Sequence, residues 1–307
     1  MTGPKRPTQR GPKGGAAQRG PKTARARAVR EQMRKQEARR RQLTIGGSIV
    51  GVIVLVVVIM VVVKVTGGNK KNGSTTNASG SVVSQITSVP QSVWQKAGDA
   101  GSSPPNKVNG VAALTSGGKP ELLYYGAEWC PYCAAQRWPL AVALSRFGTL
   151  SSLGQTHSTV TDNPSNIATL SFHGAKFTSK YLVFTAIEYQ DVNGKTLDTP
   201  TKAQQDLVTK MDTPKYVGGS SSGGIPFISW GNQYASSGAF YDPGLLSGKS
   251  HKQIANDVHS GSGNDGKAIN GAANVITAAI CQMTNNQPGN VCNSSAIKSI
   301  AGKLGGS

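Results

Sequence analysis

Hydrophobic positions are distributed unevenly along this chain. Residues 1–42 contain no apolar run, whereas Ile45–Val63 is an apolar run in which Ser48 is the only conventionally polar side chain. Residues 66–108 are rich in Gly, Ser, Thr, Asn and Pro. From residue 109 onwards, short apolar runs alternate with amphipathic stretches. This alternation predicts an α/β domain, with a central mixed sheet flanked by helices.

The apolar runs and the amphipathic stretches assign individual elements within residues 109–307. The predicted strands are Pro120–Ala127, Gln155–Val160, Tyr181–Tyr189 and Pro226–Trp230. The predicted helices are Pro131–Phe147, Lys202–Met211, Lys249–His259 and Lys267–Met283. Upstream, Gln85–Ala97 has enough apolar residues to dock onto this domain as a short element.

The apolar run Ile45–Val63 has the length of a membrane span. At about 1.5 Å per residue it extends roughly 29 Å, close to the hydrocarbon thickness of a bilayer. A lone apolar segment in lipid must be helical, because its backbone N–H groups can be satisfied only internally. The alternative is a cleaved signal peptide, but the run is longer than a usual signal-peptide core. We therefore expect one N-terminal transmembrane helix.

Charge gives the orientation of this helix and separates the segments around it. The chain carries a formal net charge of +19, and residues 1–42 hold 14 Lys and Arg against 2 Glu. The positive-inside rule puts the N-terminus in the cytoplasm and the C-terminal domain outside it, in a single-pass cell-membrane protein. The expected segments are a basic disordered cytoplasmic tail (1–42), a transmembrane helix (43–65), a flexible linker (66–108) and an extracytoplasmic domain (109–307).

The basic tail suggests two kinds of partner. Lys and Arg next to a membrane attract anionic lipid head groups. Nucleic-acid binding is disfavoured, because no aromatic residue that could stack on a base precedes Trp94. We expect the tail to contact anionic lipid head groups.

All four cysteines follow the apolar run. In the expected orientation they lie outside the cytoplasm, where disulfides persist. Cys130 and Cys133 frame the sequence Cys-Pro-Tyr-Cys where a predicted strand turns into a helix. The N–H groups and the dipole of a first helical turn stabilise a thiolate, so Cys130 is the candidate nucleophile. Cys133 is one turn further and can resolve a mixed disulfide. A static disulfide and half of a four-thiolate zinc site are the alternatives. We expect no metal and no cofactor.

Two separated motifs resemble the thioredoxin superfamily. Ala127–Cys133 is similar to its active-site segment, and Gly224-Ile225-Pro226, opening an apolar strand, is similar to its cis-proline loop. The resemblance implies a thioredoxin-like fold in which Ile225 and Pro226 face the redox pair. Trp129, Pro131 and Tyr132 complete the expected substrate-binding residues.

The whole arrangement also resembles a domain-of-unknown-function family of uncharacterised membrane-anchored thioredoxin-like proteins of bacteria and archaea. The shared features are the basic tail, the single anchor and the segment Trp129–Ala135, followed by Arg137-Trp138 and residues 143–148. This resemblance covers most of residues 109–292.

The sequence departs from the thioredoxin pattern at several positions. Thioredoxins have a buried carboxylate six residues before the first cysteine, whereas this chain has Tyr124. Glu128 is expected at the surface. Pro139 lies one residue later than the helix proline of thioredoxins. The long separation between the motifs predicts an insertion between residues 161 and 224.

Cys281 and Cys292 form the second cysteine pair. Cys281 ends a predicted apolar helix, and the turn sequence Asn285–Gly289 leads back to Cys292. This arrangement favours a structural disulfide, with a second redox relay as the alternative.

The expected function is thiol–disulfide exchange outside the cytoplasm. The partners would be protein thiols or disulfides of the cell envelope or of secreted proteins, and a membrane redox partner is an open question. The alternative is a non-catalytic thioredoxin-fold binding or scaffold module with a permanent disulfide. The direction of electron flow is not encoded in these motifs.

Overall fold

The apolar runs around residues 120–127 and 226–230 pair with each other in the computed structural model, which describes residues 72–220 and 222–304. The strands are β1 (Thr76–Asn77), β2 (Asn106–Lys107), β3 (Thr115–Ser116), β4 (Lys119–Gly126), β5 (Thr149–Ser151), β6 (Gly154–His157), β7 (Ala168–Ser171), β8 (Lys176–Thr178), β9 (Val183–Glu188), β10 (Phe227–Trp230) and β11 (Tyr234–Ser237). The helices are α1 (Gly80–Thr87), α2 (Gln91–Ala97), α3 (Pro131–Ser145), α4 (Lys202–Met211), α5 (Pro214–Val217), α6 (His251–Ser260), α7 (Gly263–Met283), α8 (Gly289–Cys292) and α9 (Ser295–Ala301), with a 3-10 turn at Pro243–Leu246.

The central sheet is mixed and is organised around β4. Strand β9 runs parallel to β4 on one side, and β10 runs antiparallel to it on the other. Strands β11 and β2 continue the sheet beyond β10, and β3 pairs with the first residues of β4. Two smaller antiparallel sheets, β1-β6-β7 and β5-β8, lie outside it. The structure thus has the mixed α/β architecture that the alternating pattern predicts.

Helices cover both faces of the central sheet. Side chains at alternate positions of a strand point to opposite faces. Leu122 and Tyr124 of β4 face one hydrophobic core, which includes residues of α3 and α7. Leu123 faces a second, smaller core that includes residues of α4 and α5. Helix α3, which follows the cysteine motif, is therefore fixed against a buried sheet face.

The start of the folded region differs from the expected linker 66–108. Helices α1 and α2 lie in this stretch, and Val82, Ile86 and Trp94 are buried in the main core. The spacing of Val82 and Ile86 places both on one face of α1, which packs against α6, while α2 packs against α7. The described part of this stretch is a component of the fold because its largest apolar side chains pack into the main core.

The expected insertion at residues 161–224 also takes part in the central architecture. It contains β9, which pairs with β4 along its whole length, and the helices α4 and α5. The long separation between the motifs is therefore occupied partly by a strand of the central sheet.

The predicted membrane span (43–65) and basic tail (1–42) lie outside the described residues. Between residues 72 and 304, leaving out residue 221, no helix is long and apolar enough to cross a membrane.

Candidate active site

The cysteine motif lies where β4 leads into α3. Cys130 is the N-cap of this 15-residue helix, and its sulfur accepts a hydrogen bond from the Cys133 N–H at 3.4 Å. Pro131 occupies the first turn, where its missing N–H costs no helical hydrogen bond. The sequence therefore places the first sulfur where unpaired N–H groups and the positive end of the helix dipole converge.

The two sulfurs lie in different environments. Cys130 is 4% exposed, and Cys133 is fully buried. The hydrogen bond from the Cys133 thiol lowers the pKa of Cys130, and the Cys133 N–H and the Arg137 charge act in the same direction against the effect of burial. Burial raises the pKa of Cys133 well above its ordinary value, and the hydrogen bond to Cys130 adds to this. Cys130 is thus the more easily ionised sulfur, and Cys133 holds its proton more tightly.

The second predicted motif lies opposite the first. The Ile225–Pro226 peptide bond is cis. The Cys130 thiol donates to the Ile225 carbonyl oxygen at 3.7 Å, across 95 residues of sequence. On the other side of Pro226, its carbonyl accepts a hydrogen bond from the Gly238 N–H at 2.9 Å. The fold therefore brings Ile225 and Cys130 into contact.

The remaining predicted substrate-binding residues differ in accessibility. Tyr132 is 49% exposed, while Pro131 and Pro226 are buried. Trp129 is half-buried, and its indole N–H donates to the Gln190 side-chain oxygen at 3.0 Å. Tyr132 is therefore the most accessible of the predicted contacts, and the two prolines shape the backbone rather than present side chains.

A buried ion pair lies behind the cysteines, and the sequence analysis did not identify it. Arg137 Nε donates to Glu188 Oε1 at 2.7 Å, and its Nη2 donates to Glu188 Oε2 at 2.8 Å and to the Ala127 carbonyl at 2.6 Å. Both side chains are fully buried. The signal was available: Arg137 lies four residues after Cys133 on one helix face, and Glu188 ends a strand parallel to β4.

The expectation that Glu128 lies at the surface is wrong. Its side chain is fully buried. The carboxylate accepts hydrogen bonds from the Thr75 hydroxyl at 2.6 Å and from the Ser171 hydroxyl at 2.5 Å. A buried carboxylate needs such donors, and they come from segments that are distant in sequence. Glu128 therefore ties the stretch before β1 to the segment that carries Cys130.

Cys281 and Cys292 form a disulfide, as the turn sequence between them predicts. It joins the last turn of α7 to α8, and both sulfurs are buried. Because these sulfurs are bonded to each other, they are not available as the second half of a four-thiolate metal site. Among the described residues, no group of three or more His, Cys, Asp or Glu side chains is placed to hold a metal ion.

Comparison with known proteins gives a family and no relative of established activity. No curated protein and no solved structure matches the chain. A family profile matches residues 106–282, which is more than half of the sequence and includes both motifs of the site. The chain therefore belongs to the family described as Domain of unknown function (DUF929).

Proposed function

We propose that this chain is a membrane-anchored thiol–disulfide oxidoreductase with a thioredoxin-like domain outside the cytoplasm. The observation that carries the proposal is the contact between Cys130, at the N-terminus of α3, and the Ile225 carbonyl next to a cis-proline. A nucleophilic sulfur beside an irregular backbone segment suits the binding of an extended peptide that contains a cysteine. The substrates would be thiols or disulfides of envelope or secreted proteins.

The exchange proceeds in two displacements. The Cys130 thiolate attacks one sulfur of a substrate disulfide, which breaks that bond and releases the other substrate sulfur as a thiolate that takes up a proton. The Cys133 thiol then loses its proton and attacks Cys130, forming the Cys130–Cys133 disulfide and releasing the second substrate sulfur. Two electrons pass from the dithiol to the substrate, and the reverse sequence oxidises a substrate dithiol.

The lowered pKa of Cys130 and the raised pKa of Cys133 support this division of roles. A thiolate is the attacking species, so the cysteine that ionises more easily reacts first. Cys133 is buried, which keeps it from reacting with a substrate directly. The Cys133 backbone N–H donates to the Cys130 sulfur, and the Cys133 thiol is close enough for its hydrogen bond to lower the pKa of Cys130, so Cys133 is in position to displace the mixed disulfide.

The test uses the full-length protein and a model peptide disulfide. We expect Cys130→Ser to abolish reduction of the peptide and Cys133→Ser to accumulate a stable mixed disulfide through Cys130. The two variants are matched controls for each other, because each replaces one sulfur by oxygen in the same motif. Activity that persists in Cys130→Ser would exclude the mechanism.

One rival is a binding module in which Cys130 and Cys133, both buried, form a permanent disulfide. The reduction potential of the Cys130–Cys133 pair distinguishes this binding module from an oxidoreductase. Equilibration with glutathione should give a value above about −300 mV for an exchanging pair, and a value well below that for a structural bridge.

A further inference from the structure

The hydroxyl of Tyr124 is an unexplained polar group close to the cysteines. Tyr124 lies in β4 and is fully buried. Among the residues that the structure describes, its hydroxyl oxygen has no well-oriented hydrogen-bond partner. A buried hydroxyl without a partner has lost its hydrogen bonds to water and destabilises the fold, so its presence calls for an explanation.

The group next to this hydroxyl is the sulfur of Cys133. The phenol end of Tyr124 and the Cys133 sulfur both lie beside Gly126, on the side where a Cβ would stand. A Cβ at Gly126 would overlap the hydroxyl and lie 3.0 Å from the Cys133 Sγ. Glycine at this position therefore leaves a space that the hydroxyl and the sulfur both border.

The neighbouring charged side chains of Arg137 and Glu188 already have partners and do not bind the Tyr124 hydroxyl. Both carboxylate oxygens of Glu188 are held by Arg137, and one also accepts from the Phe172 N–H. Glu188 is thus engaged within its ion pair. The phenol makes no hydrogen bond to another described residue, so its O–H can serve the sulfur.

We propose that the Tyr124 hydroxyl donates a hydrogen bond to the Cys133 sulfur whenever that sulfur is a thiolate, and that it thereby controls the resolving half of the exchange. The inference rests on the proposed function of the cysteine pair. The Cys133 thiolate, once deprotonated, attacks Cys130 and displaces the substrate sulfur. In the reverse direction Cys133 leaves as a thiolate, and in both directions the phenol keeps its proton.

The protonation state of the Tyr124 phenol fits a hydrogen-bond donor rather than a general base. Burial raises the pKa of Tyr124 well above its ordinary value; the Arg137 charge opposes this shift, and the nearby Cys133 adds to it. The phenol therefore stays protonated while Cys133 changes its charge. A hydrogen bond to a charged acceptor is stronger than one to a neutral acceptor, so the contact favours the thiolate over the thiol.

The test separates the two displacements with dithiobis(nitrobenzoate) as the substrate disulfide. The reduced full-length protein should release one nitrothiobenzoate when Cys130 attacks and a second when Cys133 resolves the mixed disulfide. We expect Tyr124→Phe to leave the first rate unchanged, to slow the second about tenfold and to move its pH midpoint upwards. A tenfold change equals about 1.4 kcal/mol at 25 °C.

Tyr125→Phe is the matched control. Tyr125 follows Tyr124 on the same strand, and its side chain packs against the core on the opposite sheet face. Both rates should be unchanged in this variant. A fluorinated tyrosine at position 124 keeps the ring and strengthens the donor, so it should speed the second phase without affecting the fold.

Three outcomes would overturn the inference. An unchanged second phase in Tyr124→Phe would remove Tyr124 from the reaction while leaving the proposed exchange intact. Equal slowing in Tyr124→Phe and Tyr125→Phe would indicate a general packing effect. A natural protein that releases no second nitrothiobenzoate would overturn the exchange itself, and the inference with it.

Discussion

Individual residues around the cysteines show how a buried charge can be tolerated beside a reactive sulfur. Arg137 and Glu188 neutralise each other through two parallel hydrogen bonds, and the Ala127 carbonyl occupies a further guanidinium N–H. The pair leaves the site without a large net charge. The Arg137 charge still lowers the pKa of both cysteines, although less than burial raises that of Cys133.

Removal of Arg137 should therefore destabilise the protein strongly. We expect Arg137→Met to lower the free energy of unfolding by about 3–5 kcal/mol, because Glu188 would remain buried without its partner. Urea unfolding of the full-length protein measures this. Lys202→Met is the control, since the Lys202–Asp206 pair is 87% and 63% exposed and should contribute less than about 1 kcal/mol. Similar losses in both variants would contradict the prediction.

Asp212, at the end of α4, should make stability depend on pH. Burial raises the pKa of Asp212 to about 6, with a smaller opposing effect from Ser237. The folded state binds this proton more tightly than the unfolded chain, where the pKa is about 3.9. The stabilisation is therefore complete below about pH 4 and is lost as the pH rises through about 6.

Asp212→Asn should remove this dependence. The variant mimics the protonated carboxyl, so its Tm should equal that of the natural protein near pH 4 and exceed it at pH 8. Thermal unfolding across this range is the measurement. Asp206→Asn, on the exposed side of the same helix, should give no such pH-dependent difference. A constant Tm difference for Asp212→Asn at all pH values would refute the assignment.

At the level of elements, the short helices α1 and α2 belong to the fold although they precede residue 109. Val82, Ile86 and Trp94 are the residues of these helices that are buried in the main core. Asn274 Nδ2 also donates to the carbonyls of Trp94 and Gly98, at 2.6 and 2.7 Å, which fixes the end of α2 against α7. A fragment that starts at residue 109 would expose this part of the core.

A substitution in α1 tests this attachment. We expect Ile86→Ala in the full-length protein to cost about 2–5 kcal/mol of unfolding free energy, the usual range for a fully buried large-to-small change. Ser84→Ala lies on the exposed side of the same helix and should change stability by less than about 0.5 kcal/mol. If Ile86→Ala also falls within that small range, α1 is not a stabilising part of the domain.

For the whole molecule, the proposed orientation places Cys130 outside the cytoplasm. A membrane-impermeant maleimide should therefore label Cys130 in intact, reduced cells. The control replaces Thr8 in the basic tail by cysteine in a Cys130→Ser background, and this cysteine should react only after lysis. If the tail cysteine were labelled in intact cells and Cys130 were not, the orientation would be the reverse of the proposed one.

The sequence predicted most of the large elements because their patterns are local. The alternation of apolar and polar residues gave β4, α3, β9, α4 and β10 with small shifts at their ends. It missed strand β11, which lies between β10 and β2 and whose four residues include two serines. It also assigned Glu128 to the surface, because the hydroxyls that satisfy this carboxylate come from residues 53 and 43 positions away.

The sequence by itself determined the α/β class, the strand-to-helix setting of Cys130 and Cys133, and the disulfide across a short turn. Each depends on residues a few positions apart, whose geometry the backbone fixes locally. Only the tertiary structure decided that Ile225 contacts Cys130, that Arg137 meets Glu188 and that Tyr124 reaches the space beside Cys133. These contacts depend on how β4, β9 and β10 pair and how α3 lies on the sheet, which is set by packing among residues far apart in the chain.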